Sequence, residues 1–273
     1  MIPQADIVAW RHVAPWADDG MVEQDLALSR ALVEIYSDRT LAPALAFRGG
    51  TALHKLVLLP PSRYSEDLDF VQVEPGPIGS LIDAVRAQFD SWLAEPTRDR
   101  TEAGVTLLYR FESEVPPVRR LRLKIEIETR EHFTVYGHLT RPLAVASRWF
   151  SGKADVRTYE LDELLATKLR ALYQRRRGRD LFDLWDATCR ARVDPDRVVA
   201  AFDAYLRAQN LRVTRAEFER NLAAKARDRA FLGDVRPMLA PEIDYDPLAA
   251  IDLVSREFVR RLPGAPWKRP GGR

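Results

Sequence analysis

Between Phe47 and Phe70 the chain sets two features side by side that few folds accept together. Gly49-Gly50 forms a turn ahead of a helix opened by Thr51, and Ser65-Glu66-Asp67-Leu68-Asp69-Phe70 follows after a proline-rich connector. Successive side chains of a strand point to opposite faces. A strand over Ser65–Val71 therefore puts Ser65, Asp67 and Asp69 on one face and Leu68 and Phe70 on the other. The apolar face must be covered by a core. Two neighbouring carboxylates on the opposite face gain a fold little, whereas divalent cations such as Mg²⁺ require oxygen donors placed in this way.

Backbone N–H groups at a glycine turn and helix start suit phosphate oxygens. Carboxylates on an adjacent strand suit the Mg²⁺ that accompanies a nucleoside triphosphate. Either motif alone recurs by chance. Their order, with Ser65 two residues before Asp67, points to a nucleotide and metal site rather than to solvated acids.

The rest of the chain frames this stretch. Apolar spacing predicts helices over 21–37 and 78–93, the second with Leu81, Ile82, Val85 and Phe89 on one face. A short helix and loop are expected within 6–20. Leu41–Phe47 leads into a first strand, and Pro60-Pro61 ends the helix opened at Thr51. Strands are expected at Val105–Phe111, at Leu121–Glu128 and, briefly, at Leu143–Val145. Leu121–Glu128 alternates cleanly: Leu121, Leu123, Ile125 and Ile127 face a core, and Arg122, Lys124, Glu126 and Glu128 face away from it. After Ser151-Gly152-Lys153 the pattern becomes helical: 162–177, 180–192, 195–209, 215–228 and 249–262. The expected division is 1–153 and 154–273, and the basic tail 263–273 reads as loose.

Three further groups bear on chemistry. Glu126 and Glu128 both offer a third carboxylate for a two-metal site, or a solvated face paired with Lys124 and Arg122. Lys168 falls inside the apolar arc of Leu161, Leu164, Leu165 and Leu172, so it must snorkel or meet an anion, a triphosphate or an acid. Arg175, Arg176, Arg177 and Arg179 read equally as a helix end or as phosphate contacts. Asp180 is expected to cap the next helix, and Asp183 to face the site.

Composition narrows the classes. The 273 residues are 46% hydrophobic, enough for a real core. With 42 basic and 40 acidic residues, any basic surface must be local. The single cysteine, Cys189, excludes disulfide frameworks and cysteine metal clusters. His12, His54, His132 and His138 lack metal-ligand spacing. No serine has a nucleophile's surroundings. No basic and apolar leader and no apolar run of roughly 20 residues is visible, so a cytoplasmic protein without a membrane segment is expected.

The motifs together resemble the AbiEii/AbiGii toxin nucleotidyltransferases of the DNA polymerase β-like superfamily. The resemblance rests on Phe47–Lys55, Arg63–Phe70, Lys124–Ile127, Thr167–Leu172 and Arg179–Leu184, with Glu23-Gln24-Asp25 also fitting. It implies a bilobed α/β (α+β) fold, with a mixed-sheet nucleotidyltransferase lobe and a C-terminal helical lobe completing the active-site cleft. Asp67, Asp69 and Glu126 would hold two Mg²⁺ ions. Gly49, Gly50, Thr51 and Ser65 would hold the NTP with Lys168, and Lys168 and Asp183 would be essential catalytic residues. The implied activity is transfer of an NMP to an acceptor hydroxyl, a tRNA 3′ end foremost, by a toxin with a cognate antitoxin. Transfer to a protein or small molecule, and a nucleotide-binding regulator without turnover, remain alternatives.

Overall fold

A computed structural model of the protein describes residues 2–268. The chain divides into two compact units, at Tyr159/Glu160 rather than at residue 153.

The first unit carries α1 (Gln4–Trp10), α2 (Asp19–Ser37), α3 (Leu41–Ala44), β1 (Leu45–Arg48), α4 (Gly49–Leu56), β2 (Asp67–Gln72) and α5 (Gly79–Leu93). Five strands follow: β3 (Thr97–Arg100), β4 (Gly104–Glu112), β5 (Arg120–Glu128), β6 (His138–Ala146) and β7 (Ser151–Tyr159). All seven form one mixed sheet in the order β3-β4-β5-β2-β1-β7-β6. β2 runs parallel to β5, and β1 parallel to β7, while the remaining pairs are antiparallel.

One face of the sheet is core. Leu68 and Phe70 from β2 and Leu123, Ile125 and Ile127 from β5 join Leu107 and Tyr109 from β4 there. They pack against Leu28, Leu32 and Ile35 of α2 and against Leu81, Ile82, Val85 and Phe89 of α5. Each such side chain contributes about 1.5–3 kcal/mol on burial. The alternation expected in β2 and β5 is thus realised, and the acidic residues are left on the opposite face. α2 starts where the Asp18 carboxylate accepts the Met21 N–H, at 3.2 Å.

β7 is the element that moves the boundary. Its first half, Ser151-Gly152-Lys153-Ala154-Asp155, is poor in strand formers and only partly covered, so it resembles a linker in sequence. Only Val156, Thr158 and Tyr159 are buried. Thr158 Oγ1 donates to the Phe47 carbonyl at 2.8 Å, which fastens β7 to β1. β6 is longer than expected because it is an edge strand and tolerates Pro142, which pairs in register with Asp155. The opposite edge, β3, is a short, charged and exposed strand that hydropathy does not reveal.

The second unit is helical: α6 (Leu161–Gln174), α7 (Gly178–Arg190), α8 (Pro195–Ala208), α9 (Arg215–Lys225), α10 (Arg229–Gly233) and α11 (Pro247–Glu257), with 3₁₀ turns at Arg236–Met238 and Val259–Arg261. Side chains of Asp194, Asp228 and Asp246 cap α8, α10 and α11, and Thr214 with Glu217 forms a capping box on α9. Asp180 is not a cap, contrary to expectation. α7 begins two residues earlier at Gly178, where a Cβ would lie 2.2 Å from the Phe231 carbonyl oxygen. Asp180 therefore sits inside the first turn, fully buried. The tail is also tied down further than expected. Arg215 N–H donates to the Pro263 carbonyl at 2.9 Å, and Trp267 N–H to Glu219 at 2.7 Å. Residues 269–273 lie outside the described residues.

Lys225 closes the C-terminal end of α6. Its ammonium donates to the carbonyls of Leu172 and Tyr173 and, at 2.6 Å, to Asn221 Oδ1. Burial brings its pKa down to about 8, against the opposing pull of Asp180. A lysine with a lowered folded pKa binds its proton more weakly folded than unfolded. Its contribution therefore becomes more favourable as pH rises from about 8 to the unfolded value. The stability of the wild type relative to Lys225→Met should accordingly increase over that interval, as read by urea denaturation of both proteins across the pH series.

Candidate functional site

The polar face of the first unit's sheet is built by register. Arg48 of β1 lies beside Asp69 of β2, Asp69 beside Glu126 of β5, and Glu126 beside Thr106 of β4. One step along, Asp67 lies beside Lys124. Two carboxylates from β2 and one from β5 thus share one patch.

Gly49 and Gly50 belong to the same constellation. Gly49 has φ +82°, and a Cβ there would stand 2.2 Å from Asp69 Oδ2. A Cβ on Gly50 would meet the Arg63 guanidinium at 2.1 Å and Ser65 Oγ at 3.3 Å. The paired glycines therefore admit an acid on one side and a buried guanidinium and hydroxyl on the other. Thr51 Oγ1 donates to the Asp67 carbonyl at 2.6 Å and lies 2.8 Å from Ser65 Oγ, joining the start of α4 to the start of β2. Ser65 itself precedes the strand, which begins at Asp67.

A buried ion pair fixes the other end of α4. Lys55 Nζ donates to Asp25 Oδ1 at 2.7 Å and to Ser29 Oγ at 2.9 Å. The same Asp25 oxygen accepts the Trp10 indole N–H at 2.8 Å, and its second oxygen accepts that of Trp16 at 3.4 Å. The motif position Asp25 is thus a support for the glycine-turn helix. His54 is buried beside it.

The electrostatics are uneven. Asp67 Oδ1 is buried without a hydrogen-bond partner among the described residues. Burial pushes the Asp67 carboxyl up, against the pull of Lys124. Burial acts on Glu126 in the same sense, but the hydrogen bond from the Lys124 ammonium brings it below the usual carboxylate range. Lys124 Nζ stands 2.8 Å from Glu126 Oε1. Glu128, the other acid on this face of β5, accepts the N–H groups of Arg130 and Glu131 at 2.8 Å each, so it shapes the following loop. Of the two candidates for a third carboxylate, Glu126 is the one beside Asp69.

Could these residues hold a cation? Among the described residues, no three His, Cys, Asp or Glu side chains already form a metal-binding group. The donor chemistry nevertheless fits a hard divalent ion. Among the described residues Asp67 has a buried oxygen with no donor, and Asp69 and Glu126 are carboxylates side by side in register.

The second unit gathers its own cluster. Lys168 is buried, as its place in the apolar arc required, and its anions are acids from α7. Asp183 Oδ2 is 2.8 Å from Nζ and Asp180 Oδ1 is 3.5 Å away. Asp180 also receives Arg175, through Nε at 2.7 Å and a terminal nitrogen at 2.8 Å. Arg176 and Arg177 lie 3.7 and 3.9 Å from Asp228 and Asp234. The arginine run therefore has intramolecular partners. Tyr245 packs on Phe182 and Trp185, with a buried hydroxyl that has no hydrogen-bond partner among the described residues. Burial and, secondarily, Asp183 push that hydroxyl's pKa up.

Lys124 and Arg63 carry more of the first cluster than sequence reasoning assigned to them. Lys124 was visible as a cation on the polar face of a strand. Arg63 gave no periodic signal, because it lies in the irregular connector after Pro60-Pro61.

Comparison with known proteins gives the chain a family and a fold. The family model described as "Nucleotidyl transferase AbiEii toxin, Type IV TA system" matches residues 30–254. Among solved structures, MenT4, a nucleotidyltransferase toxin from Mycobacterium tuberculosis H37Rv, superimposes with a TM-score of 0.63 at 18% identity, covering 96% of this chain and 91% of that one. An antigenic nucleotidyltransferase-like protein from Paracoccidioides brasiliensis gives a TM-score of 0.41 at 16% identity, covering 77% of this chain and 92% of that one. A sequence search of curated proteins finds no match.

Two substitutions test the geometry. Gly49→Ala should lower stability by about 1–3 kcal/mol, because it combines an unfavourable φ with a clash against Asp69. Lys168→Met should cost about 3 kcal/mol by leaving Asp183 buried without its cation, and adding Asp183→Leu should restore most of that loss. Urea denaturation of each variant against the wild type gives the comparison.

Proposed function

Because the chain belongs to the AbiEii nucleotidyltransferase toxin family, we propose that it transfers an NMP from an NTP to a hydroxyl of RNA, a tRNA 3′ end in the first place, in a Mg²⁺-dependent reaction. The observation that carries this reading is the convergence of Gly49, Gly50, Thr51 and Ser65 on the Asp67, Asp69 and Glu126 patch.

Asp67, Asp69 and Glu126 would hold Mg²⁺. Bound there, the ion would neutralise phosphate charge and make the acceptor hydroxyl easier to deprotonate. The N–H groups at the start of α4 and the hydroxyls of Thr51 and Ser65 would hold the triphosphate. The acceptor oxygen bonds to the α-phosphorus, the bond to the β-phosphate bridge breaks, and pyrophosphate leaves. A carboxylate of the cluster takes the hydroxyl proton. Lys168 and Asp183 are assigned to the same reaction. What supports this is a buried ammonium that is held by two acids instead of reaching water.

RNA as acceptor draws support from the acid-bearing face of the sheet. Arg110 and Arg120 are exposed, whereas the exposed Arg122 near them already pairs with Glu66. They continue that face along β4 and β5, with Arg110 beside Arg122 in register. In the second unit, by contrast, the arginines at 175–177 are already paired with acids. No described helix is long and apolar enough to cross a membrane. The reading places the protein in the cytoplasm, with an antitoxin opposing it.

The test is incubation of the purified chain with total tRNA, Mg²⁺ and each labelled NTP in turn. Label is expected on RNA with at least one nucleotide. Asp67→Asn and Lys168→Met should each reduce transfer by about a hundredfold or more, at a temperature where their melts show them folded. Label on protein alone would replace RNA as the acceptor, and no transfer with any of the four NTPs would overturn the reading.

A further inference from the structure

The carboxylate patch of the first unit carries more negative charge than an ordinary sheet face, yet it is not left open to water. Lys124 stands within it. Its ammonium is 2.8 Å from Glu126 Oε1, and it is the register neighbour of Asp67. Asp67, Glu126 and Asp69 all act on its charge. The two arginines nearest the patch in register are paired elsewhere. Arg122 pairs with Glu66 at 2.5 Å, and Arg48 with Glu131 at 2.9 Å. Lys124 thus stands as a cation of β5 among these three acids. Its side chain is only 28% exposed, but its four-carbon stem can swing the ammonium to solvent without disturbing β5.

We propose that Lys124 is a resident counter-cation of the acidic patch, holding Asp67, Asp69 and Glu126 together between reactions and giving up its place when a divalent cation binds. The proposal rests on the assignment of those acids as cation ligands and adds a competitor that the chain carries within itself. A flexible single charge suits this task. It compensates the acids well enough to keep them in position, and it leaves when a doubly charged ion offers more. An arginine with its rigid fork would be harder to displace. The expected consequence is that the nucleotide-free protein binds divalent cations weakly, because each ion must first expel an ammonium. An incoming metal–nucleotide complex brings its own charge and contacts to the exchange.

The test is Mn²⁺ binding to the full chain without nucleotide, followed by the loss of the free-ion electron paramagnetic resonance signal. Lys124→Met should bind Mn²⁺ more tightly than wild type by about tenfold or more, since one adjacent charge is worth about one to three powers of ten in an ionic equilibrium. Lys124→Arg should remain as weak as wild type or weaker. Lys124→Met should also melt at a lower temperature without metal and gain more from added Mn²⁺. Unchanged or weaker Mn²⁺ binding by Lys124→Met would overturn the proposal. A second measurement avoids mutation of this residue: acetylation of Lys124 in the wild-type protein, read by mass spectrometry, should rise several-fold on addition of Mg²⁺. A rate that does not change would likewise overturn it. Asp67→Asn separates this failure from that of the parent reading. If wild type binds Mn²⁺ and Asp67→Asn does not, but Lys124→Met behaves as wild type, only the role of Lys124 falls. If wild type binds no Mn²⁺ with or without an NTP, the cation site itself falls.

Discussion

β2 pairs with β5 in parallel so that Asp69 stands opposite Glu126 and Asp67 opposite Lys124, and this register settles both faces of the sheet together. On one side Leu68 and Phe70 join Ile125 and Ile127 in the core, all essentially inaccessible to water. On the other side the acids meet. A slip of one residue would turn the carboxylates of one strand into the apolar layer beneath α2 and α5, at a cost in desolvated charge that no local rearrangement could offset. The hydrophobic core is therefore what holds like charges near one another on the polar face.

The glycine turn is fitted to that arrangement. Asp69 comes so close to Gly49, and Arg63 and Ser65 so close to Gly50, that side chains at either position would displace the functional groups. α4 has to stay where these contacts place it, and it is fastened at both ends. Thr51 bonds to the Asp67 carbonyl, and Lys55 to an Asp25 carboxylate that also receives two indole N–H groups. A buried ion pair adds little net stability. Its use here is positional, since Asp25 can be satisfied only when α1, α2 and α4 are all in place.

Much of this was legible in the sequence, for physical reasons that can be named. The two-residue alternation in β2 and β5 survives because each strand has one wet and one dry face. α5 was readable from its apolar stripe, and Lys168 stood out because a cation inside such a stripe must be compensated. What escaped was structure whose signal is tertiary. β7 begins with residues that disfavour strands and is held by its neighbours, above all through the bond from Thr158 to Phe47. β3 is an edge strand with no buried face and so no hydropathic pattern. Asp180 looked like a cap because it stands two residues after a helix-breaking glycine. Gly178, however, is where α7 packs against the Phe231 carbonyl, and the helix starts there. Arg63 lies in a connector without periodicity, where only the folded chain shows its approach to Gly50.

Charge compensation separates the two clusters more sharply than their residue types do. In the second unit, Asp180 and Asp183 face Lys168 and Arg175, two acids for two cations, with the acids wholly buried. That group is closed, and adding a positive charge to it would gain little. In the first unit, Asp67 and Asp69 of β2 and Glu126 of β5 lie around Lys124, whose ammonium is 2.8 Å from Glu126. Among the described residues one buried oxygen of Asp67 has no donor, so the cluster is left with a deficit of donors. Such a deficit persists only while the packed face of the sheet holds the acids together, because electrostatics alone would drive them apart. The same deficit makes an additional cation favourable at that place. The acids of the first unit's sheet thus lie beside the glycine turn at the start of α4, where the proposed cation and triphosphate would meet.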